Sequence, residues 1–126
     1  FLKFNKIKNI KLPVSAPFHC QLMSKATHIM QKEIEKVNFN DSKNILISNV
    51  TADKILNKEQ LKTLLVDQIE NRVRWRESVL NMINSGVNQF IEVGPGKVLS
   101  GLVKRINRDI KINTINSESD IKELII

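Results

Sequence analysis

The stretch "NQFIEVGPGKVLSGLVKRI", residues 88–106, limits the possible folds more than any other part of the chain. A short apolar run stops at Gly94-Pro95-Gly96, and a helical pattern begins near Lys97 and runs to about Ile106. Another strand reads near Lys111–Ile115, and a short helix follows from about Glu118. Strands separated by helices indicate an α/β architecture with a mainly parallel sheet. The "GPGK" turn is not a nucleotide-phosphate loop. A Walker loop needs glycine where Ile91 stands and Ser or Thr where Val98 stands, and Leu99 occupies the third glycine position of the dinucleotide fingerprint. It reads as a tight strand-to-helix turn whose backbone N–H groups can sit near an anionic group.

The preceding chain fits the same architecture. "FLKFNKIKNIKLPV" alternates apolar and basic residues and reads as a strand with one exposed face, ended by Pro13 and Pro17. From about Gln21 to Val37 a helical period takes over, with Leu22, Ala26, Ile29, Met30, Ile34 and Val37 on one face. "NILISNVT" reads as a short β-branched strand that stops at a polar cluster. Asn57 with Gln60 three residues later resembles a capping box, and Leu61, Leu64, Leu65, Gln68 and Ile69 form one stripe on the helix it starts. A third helix follows "NRVRW", with Trp75, Val79, Met82 and Ile83 facing inward and Gly86 as its C-terminal cap.

At 126 residues the chain suits one ordinary core. No apolar run approaches the roughly 20 residues needed to span a bilayer. The single cysteine, Cys20, has no internal disulfide partner, which fits a reducing compartment. The formal net charge is +7, but the lysines are spread out, tyrosine is absent and Trp75 is the only tryptophan. That pattern argues against nucleic acid, which favours a concentrated basic stripe with stacking aromatics, and suits an acidic protein or an anionic small molecule. Two scattered histidines and one cysteine make no metal-ligand set. The chain opens at Phe1, inside a presumptive strand, and is expected to be a piece of a longer protein.

His19 follows an apolar run and Pro17 at the start of a helix. It is either a packed imidazole satisfied by a neighbour or a general base, and two features favour the second reading. Pro17 restricts the backbone before it, placing Phe18 and His19 in a loop at a strand end. That edge of an open α/β sheet is where active sites collect. His28 lies off the apolar face of its helix and reads as solvent-exposed. Cys20 is too close in sequence to serve as the nucleophile for His19, no Gly-x-Ser-x-Gly elbow occurs, and Ser15, Ser48, Ser85 and Ser100 lack that context. If His19 is catalytic, its nucleophile lies outside this chain. Gln68 is either a partly exposed boundary residue or a group facing a polar site, where its side chain or main-chain carbonyl orients an imidazole.

Three segments together, "LPVSAPFHCQLM" (12–23), "ISNVTA" (47–52) and "FIEVGPGKVLSGLVKRI" (90–106), resemble malonyl-CoA:acyl-carrier-protein transacylase, the acyltransferase of dissociated (type II) fatty acid synthesis. "QIENRVRW" (68–75) matches the family's segment before its paired helices, although Arg72 stands where many members have proline. The resemblance covers nearly the whole chain and corresponds to the C-terminal portion of the enzyme. It implies that residues 1–12 are the final strand of a ferredoxin-like small subdomain, and that 13–126 are the C-terminal part of an α/β-hydrolase-like large domain.

The same resemblance implies the chemistry. His19 matches the catalytic histidine that deprotonates a serine hydroxyl and later protonates the departing thiol. Gln68 matches the residue whose main-chain carbonyl holds that imidazole, a role indifferent to its side chain, so that Gln68→Ala is expected to change little. Phe18 sits at a substrate-pocket position where Phe goes with malonyl units. The nucleophilic serine, the carboxylate-clamping arginine and the oxyanion loop would all lie N-terminal to Phe1. The implied substrates are malonyl-CoA and a phosphopantetheinyl acyl carrier protein, with no other cofactor and no metal. Lys97, Lys104 and Arg105, with Arg72, Arg74 and Arg76, are candidates for the surface that meets an acidic carrier. The implied partners are the carrier protein and the N-terminal remainder of the same enzyme, which would be a monomer when intact. Neither nucleic acid nor a membrane is implied. The location would be bacterial cytoplasm, or a plastid or mitochondrial matrix. Two alternatives stand beside this one: the acyltransferase portion of a larger polyketide or fatty acid synthase, and a non-catalytic α/β module binding an acidic partner. "SESDIKELII" reads like a natural C-terminus, which favours the stand-alone enzyme over the synthase.

Overall fold

The computed structural model describes Lys8 and residues 14–124. The strand read over 1–12 therefore lies, apart from Lys8, outside the described residues, and so does Pro13. A 3-10 turn at Gln21–Met23 leads into α1, Ser24–Lys36. Then come α2 (Lys58–Asp67), α3 (Trp75–Asn84), β1 (Gln89–Val93), α4 (Val98–Ile106), β2 (Lys111–Ile115) and α5 (Glu118–Glu123).

The strand–turn–helix–strand reading of the C-terminal half matches what forms. β1 and β2 pair in parallel, with Phe90 opposite Ile112 and Glu92 opposite Thr114. Parallel neighbours need a crossover, and α4 supplies it. Val79, Val103 and Ile110 are buried, with Trp75, Phe90 and Ile112 packed around them. Alternation along β1 turns Phe90 and Glu92 inward and leaves Ile91 and Val93 on the other side, 40% and 76% exposed. A parallel sheet ordinarily has both faces covered; among the described residues this one is covered on the α4 side only.

The helix ends follow their residues. Gly86, at φ +96°, closes α3: its N–H donates to the Ile83 carbonyl, and the Val87 N–H donates to Met82. Those two bonds make a Schellman motif, and the backbone angle is one glycine adopts without a Cβ penalty. Asn57 caps α2 by accepting from the Gln60 N–H at 2.9 Å. The expected box is offset by one residue, because Gln60 Oε1 accepts from the Leu56 N–H rather than from Asn57.

One expectation is corrected. "NILISNVT" does not form a strand; it contributes one isolated antiparallel bridge, Ile47 to Lys54, and folds back through a turn at 48–53. No neighbouring strand among the described residues offers a ladder to its β-branched residues, and Ser48 bonds locally instead. The Ser48 N–H donates to the Asp53 carbonyl, and its hydroxyl accepts from Val50 and Thr51. The apolar face that begins in the 3-10 turn and continues along α1 is largely open, with Leu22 77% and Ile29 63% exposed. α1 packs against α2, and no residue of α1 is buried.

Candidate active site around His19

The loop before α1 is shaped by a few local bonds. The Cys20 thiol donates to the Pro17 carbonyl at 3.2 Å, and the Met23 N–H donates to the Cys20 carbonyl at 2.9 Å. Cys20 is thus a loop fastener of intermediate exposure. His19 between them has φ +61°, the left-handed region that His tolerates better than most residues. Holding a non-glycine residue there costs on the order of 1–3 kcal/mol and persists when the surroundings over-determine it.

The over-determining contact spans 49 residues: His19 Nδ1 lies 2.7 Å from the main-chain oxygen of Gln68. Gln68 is the C-terminal cap of α2, so its carbonyl has no partner within its own helix. A carbonyl oxygen only accepts, so the proton of the neutral imidazole belongs on Nδ1 and the lone pair on Nε2. His19 is exposed, which leaves the ring open to an incoming group. The other histidine, His28, is spent on its own helix, with Nδ1 2.6 Å from the Ser24 carbonyl.

The Gln68 side chain is fixed as well. The Asn49 amide donates to Gln68 Oε1 at 3.1 Å, and the Asn49 carbonyl accepts from the Arg74 N–H at 2.8 Å. The Arg74 guanidinium donates to the Thr51 carbonyl at 3.0 Å, and the Asn81 amide donates to the Ala52 carbonyl at 2.8 Å. Within this turn Ala52 is 1% exposed at φ +60°. The turn at 48–53 is thereby tied to α3 on one side and to the end of α2 on the other. Glu77 completes the junction. Its own backbone N–H, then Arg74 and Arg72, hold its carboxyl below the usual carboxylate range against the opposing effect of burial.

Other singled-out residues lie elsewhere. Phe18, beside His19, is 58% exposed. Lys97 and Arg105 are exposed at the two ends of α4. Lys104 is exposed as well. Its ammonium donates to the carbonyls of Arg108 at 2.9 Å and Ile110 at 2.7 Å, bracing the loop into β2. Arg72 and Arg74 pair with Glu77, and Arg76 is exposed. Just past the "GPGK" turn, in the first turn of α4, the Glu92 carboxylate accepts from the N–H groups of Leu99 (3.0 Å) and Ser100 (2.7 Å). The Ser100 hydroxyl beside it, then these N–H groups, lower the Glu92 pKa. No group of three potential metal ligands occurs among the described residues. Sequence reasoning missed Asn49, Asn81 and the positioning part of Arg74; the polar cluster that ends "NILISNVT" was their only sign.

This geometry has relatives. No family model matches the chain. It is 41% identical over 113 residues to the malonyl CoA-acyl carrier protein transacylase of Bacillus subtilis (strain 168), covering 90% of this chain and 36% of that protein. Its fold superimposes on the acyl-carrier-protein-S-malonyltransferase of Bartonella henselae with a TM-score of 0.84 at 43% identity, over 89% of this chain and 36% of the other. It also matches a malonyl-transacylase solved in complex with a type II polyketide synthase acyl-carrier protein, with TM-score 0.82 and 34% identity over 88% of this chain and 36% of the other. The chain is thus related by sequence and fold to acyltransferases. In particular it is homologous to the C-terminal portion of the malonyl CoA-acyl carrier protein transacylases, and it spans little more than a third of their length.

Proposed function

We propose that this chain is the base-bearing portion of an enzyme that moves a malonyl group from coenzyme A to the phosphopantetheine thiol of an acyl carrier protein. The observation that carries this reading is the 2.7 Å contact of His19 Nδ1 with the Gln68 carbonyl, in segments homologous to the transacylases. In the proposed reaction a serine hydroxyl, contributed from outside this chain, gives its proton to His19 Nε2 while its oxygen attacks the malonyl thioester carbon. The C–S bond breaks, and the departing coenzyme A sulfur takes the proton back, leaving a seryl ester. The carrier's thiol then gives its proton to Nε2 and attacks the ester, and the serine leaves with that proton. The Gln68 carbonyl serves throughout, because Nδ1 remains a donor in both the neutral and the charged ring.

Further assignments follow from the same reading. Phe18 borders the acyl pocket and favours malonyl. The carrier is acidic and meets a positive surface that includes Lys97 and Arg105. The +7 charge and the carrier complex of a structural relative support that partner. Residues 13–126 belong to a large α/β-hydrolase-like domain and 1–12 to a ferredoxin-like subdomain. The rest of the enzyme covers the open face of β1.

The test is transfer of label from malonyl-CoA to acyl carrier protein by the longer protein that carries this segment, as wild type and as His19→Ala. The expected loss is about 10²–10⁴-fold, the usual contribution of a general base. Undiminished transfer by the variant would overturn the assignment, and so would turnover by the 126-residue chain alone.

A further inference from the structure

We propose that Asn49 is a positioning residue for the His19 base, acting through the side-chain amide of Gln68. This rests on the reading of His19 given above. The carbonyl that meets His19 Nδ1 belongs to the C-cap residue of α2, and its peptide plane is held from the backbone by the Ile69 N–H, which donates to the Val66 carbonyl at 3.1 Å. A second restraint acts on the other end of the same residue: Gln68 Oε1 accepts from the Asn49 amide at 3.1 Å. Asn49 is itself immobilised, since its carbonyl accepts from the Arg74 N–H at 2.8 Å and the turn behind it is held by Arg74 and Asn81. The path from α3 to the imidazole is therefore continuous: Arg74, Asn49, Gln68, His19. With the amide bond present, one face of Gln68 is clamped and its carbonyl is aimed at Nδ1. Without it, the carbonyl keeps only the backbone restraint of the turn, its aim loosens, and the preference of the ring for carrying the proton on Nδ1 weakens. The identity of the Gln68 side chain then matters, contrary to the expectation that only its backbone does.

The experiment is ¹⁵N NMR of the imidazole nitrogens of His19 and His28 in the longer protein that carries this segment, labelled at histidine. It compares wild type with Asn49→Ala, Gln68→Met and Gln68→Glu at one mildly alkaline pH. His28 is the internal reference, because its Nδ1 bond to Ser24 is local to α1 and independent of Asn49. Wild type is expected to show His19 mainly as the Nδ1-protonated tautomer. In Asn49→Ala and Gln68→Met the tautomer ratio of His19 should fall by about threefold to tenfold, the change that loss of one hydrogen bond's net contribution produces. The ratio for His28 should stay fixed. Gln68→Glu keeps an acceptor for the Asn49 amide and should keep the wild-type ratio, which a merely structural loss would not predict. An unmoved His19 ratio in both disabling variants overturns the proposal, as does a wild-type ring without the Nδ1 preference. Because the readout is a tautomer and not turnover, its failure leaves the base assignment to be judged by the His19→Ala transfer assay.

Discussion

The segment from Trp75 to Ile115 and the segment from Val14 to Asn57 are held together by different forces. In the first, Val79, Val103 and Ile110 are buried among larger apolar neighbours, and a parallel strand pair lies against two helices. In the second, only Ser48 and Ala52 are buried, both in one turn, and positions are set by hydrogen bonds between residues distant in sequence. Apolar burial is worth about 25 cal/mol per Å² and is indifferent to direction. A hydrogen bond contributes about 1 kcal/mol net and depends on direction. The first region therefore supplies most of the stability, and the second supplies the aim of His19.

The sharpest way to break this division is to attack the first region at its centre. Val79 is 0% exposed, and Val79→Asp places a carboxylate there with no partner. The expected loss is about 4 kcal/mol or more, a large share of the roughly 5–15 kcal/mol by which single domains are stable. Urea titration followed by Trp75 fluorescence reads it directly. A variant that unfolds no more easily than wild type would mean that the cluster around Val79 is not the stabilising centre.

A smaller effect is expected in the second region, from Ala52→Val. Ala52 combines φ +60° with 1% exposure, so a β-branched side chain meets both backbone strain and a full site. The two together cost about 2–4 kcal/mol. Because the Ala52 carbonyl also accepts from Asn81, the turn that carries Asn49 should shift with it. Denaturant titration measures the stability loss. A loss under about 0.5 kcal/mol, the range of an ordinary surface change, would show that the turn yields freely and cannot aim anything.

The same division explains what the sequence disclosed. Val79, Met82 and Ile83 announce a helix face by their spacing, and Gly94, Gly96 and the β-branched flanks announce the turn and the paired strands. Such signals are local and periodic. The His19–Gln68 contact came from a family resemblance, because nothing in the spacing of two residues 49 apart encodes a hydrogen bond between them. "NILISNVT" misled for a physical reason: β-branched residues favour a pleated surface, but a strand also needs a neighbour, and Ser48 and Asn49 had local and lateral bonds to make instead. Asn49 went unnoticed because a single Asn at the end of an apolar run looks like any turn residue. The bracing bonds of Lys104 were not legible either, because sequence does not show that two loop carbonyls lie within its reach.

The smallest predicted effect concerns Glu92, where the two means of stabilisation meet. Its side chain turns inward from β1 beside Phe90, yet its carboxylate is spent on the N–H groups that open α4. An anion there complements the helix dipole and satisfies donors that have no intrahelical partner. Its folded pKa lies below the unfolded value, the Ser100 hydroxyl being the first cause. The folded chain therefore keeps Glu92 ionised at pH values where the unfolded chain has protonated it. Its stabilisation is complete above the unfolded value of about 4.3 and fades as pH falls through the lower folded one. Glu92→Gln keeps an acceptor oxygen but removes the charge, so its melting temperature should lie below wild type at pH 7. That gap should narrow progressively as pH falls below the unfolded value. Thermal melts of the two proteins from pH 7 down to pH 3 decide it. A gap that stays constant across that range would assign the contribution of Glu92 to its shape and not to its charge.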